Sequence, residues 1–215
     1  MRALIITGGE HPPVRFLRKL AGLMDVVIAA DSGLAVAREG HIAPDWIVGD
    51  FDSLGDVKLL AEYPPARTVR YSPEKDDTDT ELAFRLAREL GCAHIEVAGA
   101  GGGRIDHFIA MYAMFLREEH PNAWHAHGES AFWLRAGGVA RLRLTLQSLV
   151  SVFPLGDICN GMHSDGLQWT LDGLDWGKGR FGISNRNTVR EPVIRAGSCP
   201  LLVVAPLGCE FFLQQ

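Results

Sequence analysis

Four short segments of this chain hold the residue types that could do chemistry. Gly49-Asp50-Phe51-Asp52-Ser53 directly follows the apolar run Trp46-Ile47-Val48. If the backbone stays extended there, Asp50 and Asp52 point to the same side, because strand side chains alternate with period two. Carboxylates held together repel unless a cation joins them, and an all-oxygen ligand set favours Mg²⁺ over zinc. The plainer reading is a polar turn in which an aspartate caps the next segment.

The second segment is Lys75-Asp76-Asp77-Thr78-Asp79-Thr80-Glu81. Thr78 followed by Glu81 is a capping box, and acids in a first helical turn offset the helix dipole. A cap needs one or two acids, whereas this stretch holds four in six residues, so Asp79 and Asp77 are also candidate ligands. The third segment, Gly99 to His107 (GAGGGRIDH), joins a strand-like run to a helical one. Its glycines let backbone N–H groups approach phosphate oxygens, and Arg104 can grip a phosphate in a forked geometry. It matches neither common phosphate-loop pattern, so a tight strand-to-helix turn is an equal reading. Asp31, in Ala30-Asp31-Ser32-Gly33, is the fourth site and alone would be an ordinary N-cap. Four such turns meeting on one sheet edge would make a magnesium–polyphosphate site.

The elements that must carry these turns alternate in type. Strand-like runs occur at residues 2–7, 25–30, 45–50, 68–71 and 94–98. Helical patterns fall at residues 16–23, 32–39, 82–90 and 105–116, with Leu82, Leu86 and Leu90 at a spacing of four. Alternation of this kind predicts a mostly parallel sheet flanked by helices, with ligands at the carboxyl ends of its strands. After about residue 128 the period changes to two, as in Ala140, Leu142, Leu144 and Leu146. Further short runs at 149–153, 167–171, 188–194 and 201–205 predict an antiparallel β-sandwich.

Composition narrows the class. An apolar fraction of 47% with 22% charged residues is that of a globular protein rather than a disordered one. A net charge of −5 without clustered Lys and Arg argues against nucleic acid as a partner. No apolar run reaches the roughly 18 residues that a membrane span needs. Cys92, Cys159, Cys199 and Cys209 are scattered without a CxxC pair, which argues against zinc and against a disulfide framework. The expected location is cytoplasmic.

These motifs, in this order, resemble the thiamine pyrophosphokinase family along nearly the whole chain. Ala30-Asp31-Ser32-Gly33, Pro44-Asp45, Gly49 to Ser53, Asp76 to Glu81 and Gly102 to His107 carry the likeness in the first half. Gly166-Leu167-Gln168-Trp169 and Gly182-Ile183-Ser184-Asn185 carry it in the second. Ser32 replaces a glycine of the family pattern, Lys75 stands where eukaryotic relatives carry glutamine, and residues 176–181 (WGKGRF) depart from it.

The resemblance implies a Rossmann-like catalytic domain for ATP and Mg²⁺ over residues 1–127. A thiamine-binding β-sandwich over 128–215 and a homodimer with active sites between subunits complete the expectation. It places Mg²⁺ on Asp50, Asp52 and Asp79, which with Arg104 form the catalytic set. ATP falls to Asp31, Thr78, Gly102, Gly103, Arg104 and Asp106. Thiamine falls to Trp169, Ser184 and Asn185, where an aromatic face under a thiazolium cation is worth ~0.5–2 kcal/mol. Trp169 can equally be a sandwich core residue, and Trp176 is its rival for stacking. The implied reaction passes a pyrophosphoryl group from ATP to the hydroxyethyl oxygen of thiamine, leaving AMP. A kinase or nucleotidyltransferase on another alcohol would leave ADP or pyrophosphate, and a regulatory binding module would turn nothing over.

Overall fold

The computed structural model describes residues 1–51, 60, 62–72, 77–102, 104–174, 176–177 and 180–214. The chain divides into two compact units, one of residues 1–114 and 124–127, the other of residues 115–123 and 128–214.

In the first unit the elements are β1 (Arg2–Ile6), α1 (Val14–Ala21), β2 (Val26–Ala30), α2 (Gly33–Glu39), β3 (Trp46–Gly49), β4 (Thr68–Arg70), α3 (Asp79–Glu89), β5 (His94–Ala98), α4 (Ile105–Met114) and β6 (Ala123–His125). The strands lie in the order β6-β5-β1-β2-β3-β4, and the pairs from β5 to β4 are all parallel. All of β2 is buried, which is why Val26 to Ala30 reads as continuous apolar sequence rather than as alternation. Leu17 of α1 and Leu34 of α2 are almost fully buried, each contributing roughly 1.5–3 kcal/mol.

Two features of this sheet decide where chemistry can sit. The chain runs outward from β1 to β4, then returns through α3 to add β5 on the other side of β1. In open α/β sheets ligands bind at such a reversal, outside the carboxyl ends of the strands. α2 also begins hard against β1: a Cβ on Gly33 would lie 2.0 Å from the carbonyl oxygen of Ile6. Glycine is what lets the turn after β2 approach so closely.

Within the sheet, Glu96 of β5 is buried and accepts hydrogen bonds from His125 Nε2 and His94 Nε2, both at 2.7 Å. Burial alone raises the pKa of this carboxyl, but the two imidazoles outweigh it and hold the group below the usual carboxylate range. A depressed folded pKa stabilises the protein above the ordinary value of 4.5 and loses that stabilisation as acid protonates the carboxylate. Glu96→Gln is therefore expected to cost about 3 kcal/mol at neutral pH. Urea titrations across pH should show its deficit shrinking below pH 4.5.

In the second unit β7 (Glu129–Leu134), β8 (Val139–Arg143), β9 (Leu149–Pro154), β10 (Ile158–Cys159), β11 (His163–Asp165), β12 (Trp176–Gly177), β13 (Gly182–Arg186), β14 (Val193–Arg195), β15 (Leu201–Pro206) and β16 (Glu210–Gln214) follow. β13-β9-β15-β7 and β11-β14-β8-β16 are antiparallel sets, and β10 pairs with β12. Leu134, Val150 and Val203 from the first set and Leu142 and Ile194 from the second share one core.

Three expectations fail here, the first being the run at 188–194, of which only Val193 and Ile194 lie in a strand, β14. Residues 167–171 form no strand; only an isolated bridge joins Leu167 to Asn187, because a side-chain amide takes the backbone of Trp169 in place of a ladder. Cys159 and Cys199 form a disulfide, with Cα atoms 5.3 Å apart across a sequence separation of 40. Burial raises the remaining thiols Cys92 and Cys209, the latter to about 12, so neither is a thiolate near neutral pH. No helix among the described residues is long and apolar enough to cross a membrane.

Candidate active site

The parallel ladder positions the first two acids. Ala30 is the register partner of Val48, and the Asp31 N–H continues the pairing by donating to the Val48 carbonyl at 2.7 Å. Asp31 thus leaves the end of β2 opposite Gly49, and Asp50 follows at the end of β3. A side chain at position 49 would crowd Asp31, since its Cβ would lie 3.2 Å from the Asp31 Cα. Ser32 has ordinary helical dihedrals, so serine in place of the family's glycine brings no strain.

The third acid arrives on the amino end of α3. Thr78 caps this helix: its Oγ1 accepts from the Glu81 N–H at 3.2 Å, and Glu81 Oε2 accepts from the Thr78 N–H at 2.8 Å. Asp79 is the first helical residue, and Thr80 behind it is buried, with its hydroxyl 3.0 Å from the hydroxyl of Thr7 at the end of β1. That contact ties the helix start to the sheet. We expect Thr80→Val to leave the fold intact at a cost of about 1 kcal/mol. Its metal affinity, read by isothermal titration, should fall several-fold while Thr80→Ser restores it.

Carboxylate oxygens of Asp31, Asp50 and Asp79 all lie within 4.8 Å of one another, and all three residues are half-buried. Three segments far apart in sequence have brought three negative charges together. An oxygen-only set of this kind fits a hard divalent cation, because without one the carboxylates repel. Asp50 and Asp79 join as expected. Asp31, assigned above to ATP, belongs to the same cluster. Asp52, Lys75 and Asp76 lie outside the described residues, and Asp77 is engaged by Arg85 on the surface of α3.

The glycine loop is held differently from a phosphate cradle. The Gly99, Ala100 and Gly101 N–H groups donate to the carbonyls of His125, Gly8 and Glu10, at 3.0, 2.7 and 3.0 Å. These amides are already engaged, so a polyphosphate here would depend on Arg104 more than on them. Gly102 follows in the left-handed region at φ 63°, and Gly103 lies outside the described residues. The Arg104 guanidinium forks onto the Asp106 carboxylate, Nε to Oδ1 at 3.1 Å, and this contact lowers the Asp106 pKa. Both residues are exposed, as is His107.

In the second unit, Trp169 and Trp176 separate cleanly. Trp176 is buried in the core, with Gly182 against its ring, whereas Trp169 is 57% exposed. Ser184 is exposed with a left-handed backbone at φ 60°, and Asn185 is buried. Among the described residues six non-glycine residues have left-handed φ, and four of them are Asp31, Phe51, Ala100 and Ser184, within or beside the candidate segments. Such conformations cost of order 1 kcal/mol or more and gather at functional sites.

The profile of a family described as "Thiamin pyrophosphokinase, catalytic domain" matches residues 17–124, half of the chain. The chain belongs to this family. Thiamine pyrophosphokinase of Bacillus subtilis is 34% identical over 118 residues, and the match spans about half the length of each protein (53%). The fold is similar to that of a thiamin pyrophosphokinase family protein from Enterococcus faecalis, with a TM-score of 0.76 at 21% identity over 96% of this chain and 99% of that one. Yeast thiamin pyrophosphokinase gives 0.74 at 16% identity, over 95% and 86%. Residues 31, 50 and 79 all fall inside the matched segment.

Proposed function

We propose that the chain is an ATP:thiamine diphosphotransferase, making thiamine diphosphate and AMP. The observation that carries this reading is the convergence of Asp31, Asp50 and Asp79 within 4.8 Å at the carboxyl edge of a parallel sheet. These carboxylates, with Asp52, would hold Mg²⁺, which when bound neutralises polyphosphate charge. In the transfer, the hydroxyethyl oxygen of thiamine bonds to the β-phosphorus and the bridge to the α-phosphate breaks. AMP takes the bridging oxygen, and the hydroxyl proton passes to water or a carboxylate. Arg104 leaves Asp106 to orient the phosphates, and the enzyme contributes alignment more than covalent chemistry.

The second unit, read as a β-sandwich, offers Trp169 to the thiazolium ring by cation–π contact. The chain acts as a homodimer in the cytoplasm, with active sites between subunits. Support for a second copy comes from α4, whose Ile105, Phe108 and Ile109 are 76, 52 and 58% exposed and share one helix face. Mass spectrometry of products from Mg-ATP and thiamine tests the whole reading. Thiamine diphosphate with AMP is expected, and ADP or pyrophosphate as the coproduct would replace it with another transferase chemistry.

A further inference from the structure

Asn185 stands on β13 with its side chain buried, yet its amide reaches the backbone of residue 169. Oδ1 accepts from the Trp169 N–H at 3.1 Å and from the Arg186 N–H at 2.8 Å, while Nδ2 donates to the Trp169 carbonyl at 2.6 Å. A primary amide that pairs with both the N–H and the C=O of one residue imitates a step of an antiparallel ladder. Main-chain bonds continue the pairing on one side of it. Gln168 N–H donates to Arg186 and Thr188 N–H to Gly166, both at 2.8 Å.

The strand is shaped for this contact. Between Gly182 and Asn185 the register of β13 against β9 shifts, and Ser184 in that shift is left-handed with its N–H on Ser151 Oγ at 3.1 Å. Irregularities of this kind re-aim a side chain. Both lone pairs of Oδ1 and one N–H of Nδ2 are thereby committed to main chain, whereas the indole of the residue they fix is mostly exposed. A buried amide whose oxygen is saturated and whose nitrogen already donates to backbone is poorly placed to read a substrate.

We propose that Asn185 is a positioning residue: it fixes the Trp169 backbone so that the exposed indole is a rigid platform for a flat cationic heteroaromatic ring. The inference rests on the reading of Trp169 as the thiamine-stacking residue, and it takes Asn185 out of the substrate-contacting set. The test uses full-length protein labelled with 5-fluorotryptophan, the Trp169 resonance being assigned through Trp169→Phe.

In wild type that resonance should be narrow and should move as thiamine alone is titrated. In Asn185→Ala it should broaden and lose the response, while the thiamine KM rises about tenfold and the ATP KM stays within twofold. Trp169→Ala should raise the thiamine KM as much, and the double variant no further. Should Asn185→Ala not fold, Asn185→Asp keeps the acceptor and loses the donor, and is expected to lie between. Additive effects in the double variant, or an unaltered Trp169 resonance in Asn185→Ala, would overturn the proposal. A wild type that makes no thiamine diphosphate sinks the catalytic reading alone. The platform is then judged by the fluorine titration, where a Trp169 signal indifferent to thiamine in wild type overturns it.

Discussion

Asp50→Asn should reduce AMP formation from Mg-ATP and thiamine by more than the roughly 100-fold that losing an outer-shell partner of a metal costs. Asp50 shares the cluster with Asp31 and Asp79, so the amide removes one negative charge without changing size. The same change relieves like-charge repulsion, so the metal-free variant should melt no lower than the metal-free wild type. Magnesium should then raise the melting temperature of wild type more than that of the variant, since a ligand stabilises only the state that binds it. Full AMP formation by Asp50→Asn at saturating thiamine would remove Asp50 from the metal site.

Gly33→Ala is expected to be strongly destabilising. The new methyl would lie 2.0 Å from the Ile6 carbonyl oxygen, 2.6 Å from its carbon and 2.8 Å from the Thr7 Cα, all backbone atoms that no rotamer change can move aside. Overpacking against a rigid neighbour costs about 3 kcal/mol, which for a chain of this size lowers the melting temperature by roughly 6–12 °C. The displaced turn also carries Asp31, so metal affinity should weaken along with the fold. Calorimetry of the metal-free protein separates the two effects, and a melting temperature within 2 °C of wild type would contradict the packing argument.

Asp31 and Asp50 were legible because each follows an apolar run long enough to be a strand, and Asp79 because a capping box opens the helix it starts. Asp31, Asp50 and Asp79 could each be placed at an element end from local pattern alone. That Asp31 belongs with the other two followed only from register, the pairing of Ala30 with Val48, which no local pattern encodes. Other features were hidden for related reasons. The Cys159–Cys199 bond closes across two distant segments with no motif spacing. The glycine loop promised amides to a phosphate, but the carbonyls of Gly8, Glu10 and His125 take them first. Residues 167–171 have a strand's composition, yet the buried amide of Asn185 substitutes for a neighbouring strand. On α4 the periodicity of Ile105, Phe108 and Ile109 was plain, but periodicity says only that an apolar face exists, not what covers it.

The placement of α3 between β4 and β5 bears on the order in which the protein matures. The acid cluster closes only when the helix made after β4 settles back on β1, β2 and β3, so its contacts span long stretches of chain. During synthesis from the amino end, a nascent chain ending before residue 79 owns two of the three acids and none of the grip. Long-range closure of this sort comes late in folding. Magnesium affinity would then report completed assembly of the first unit, and a truncated product released early from the ribosome would not compete with the finished protein for the ion.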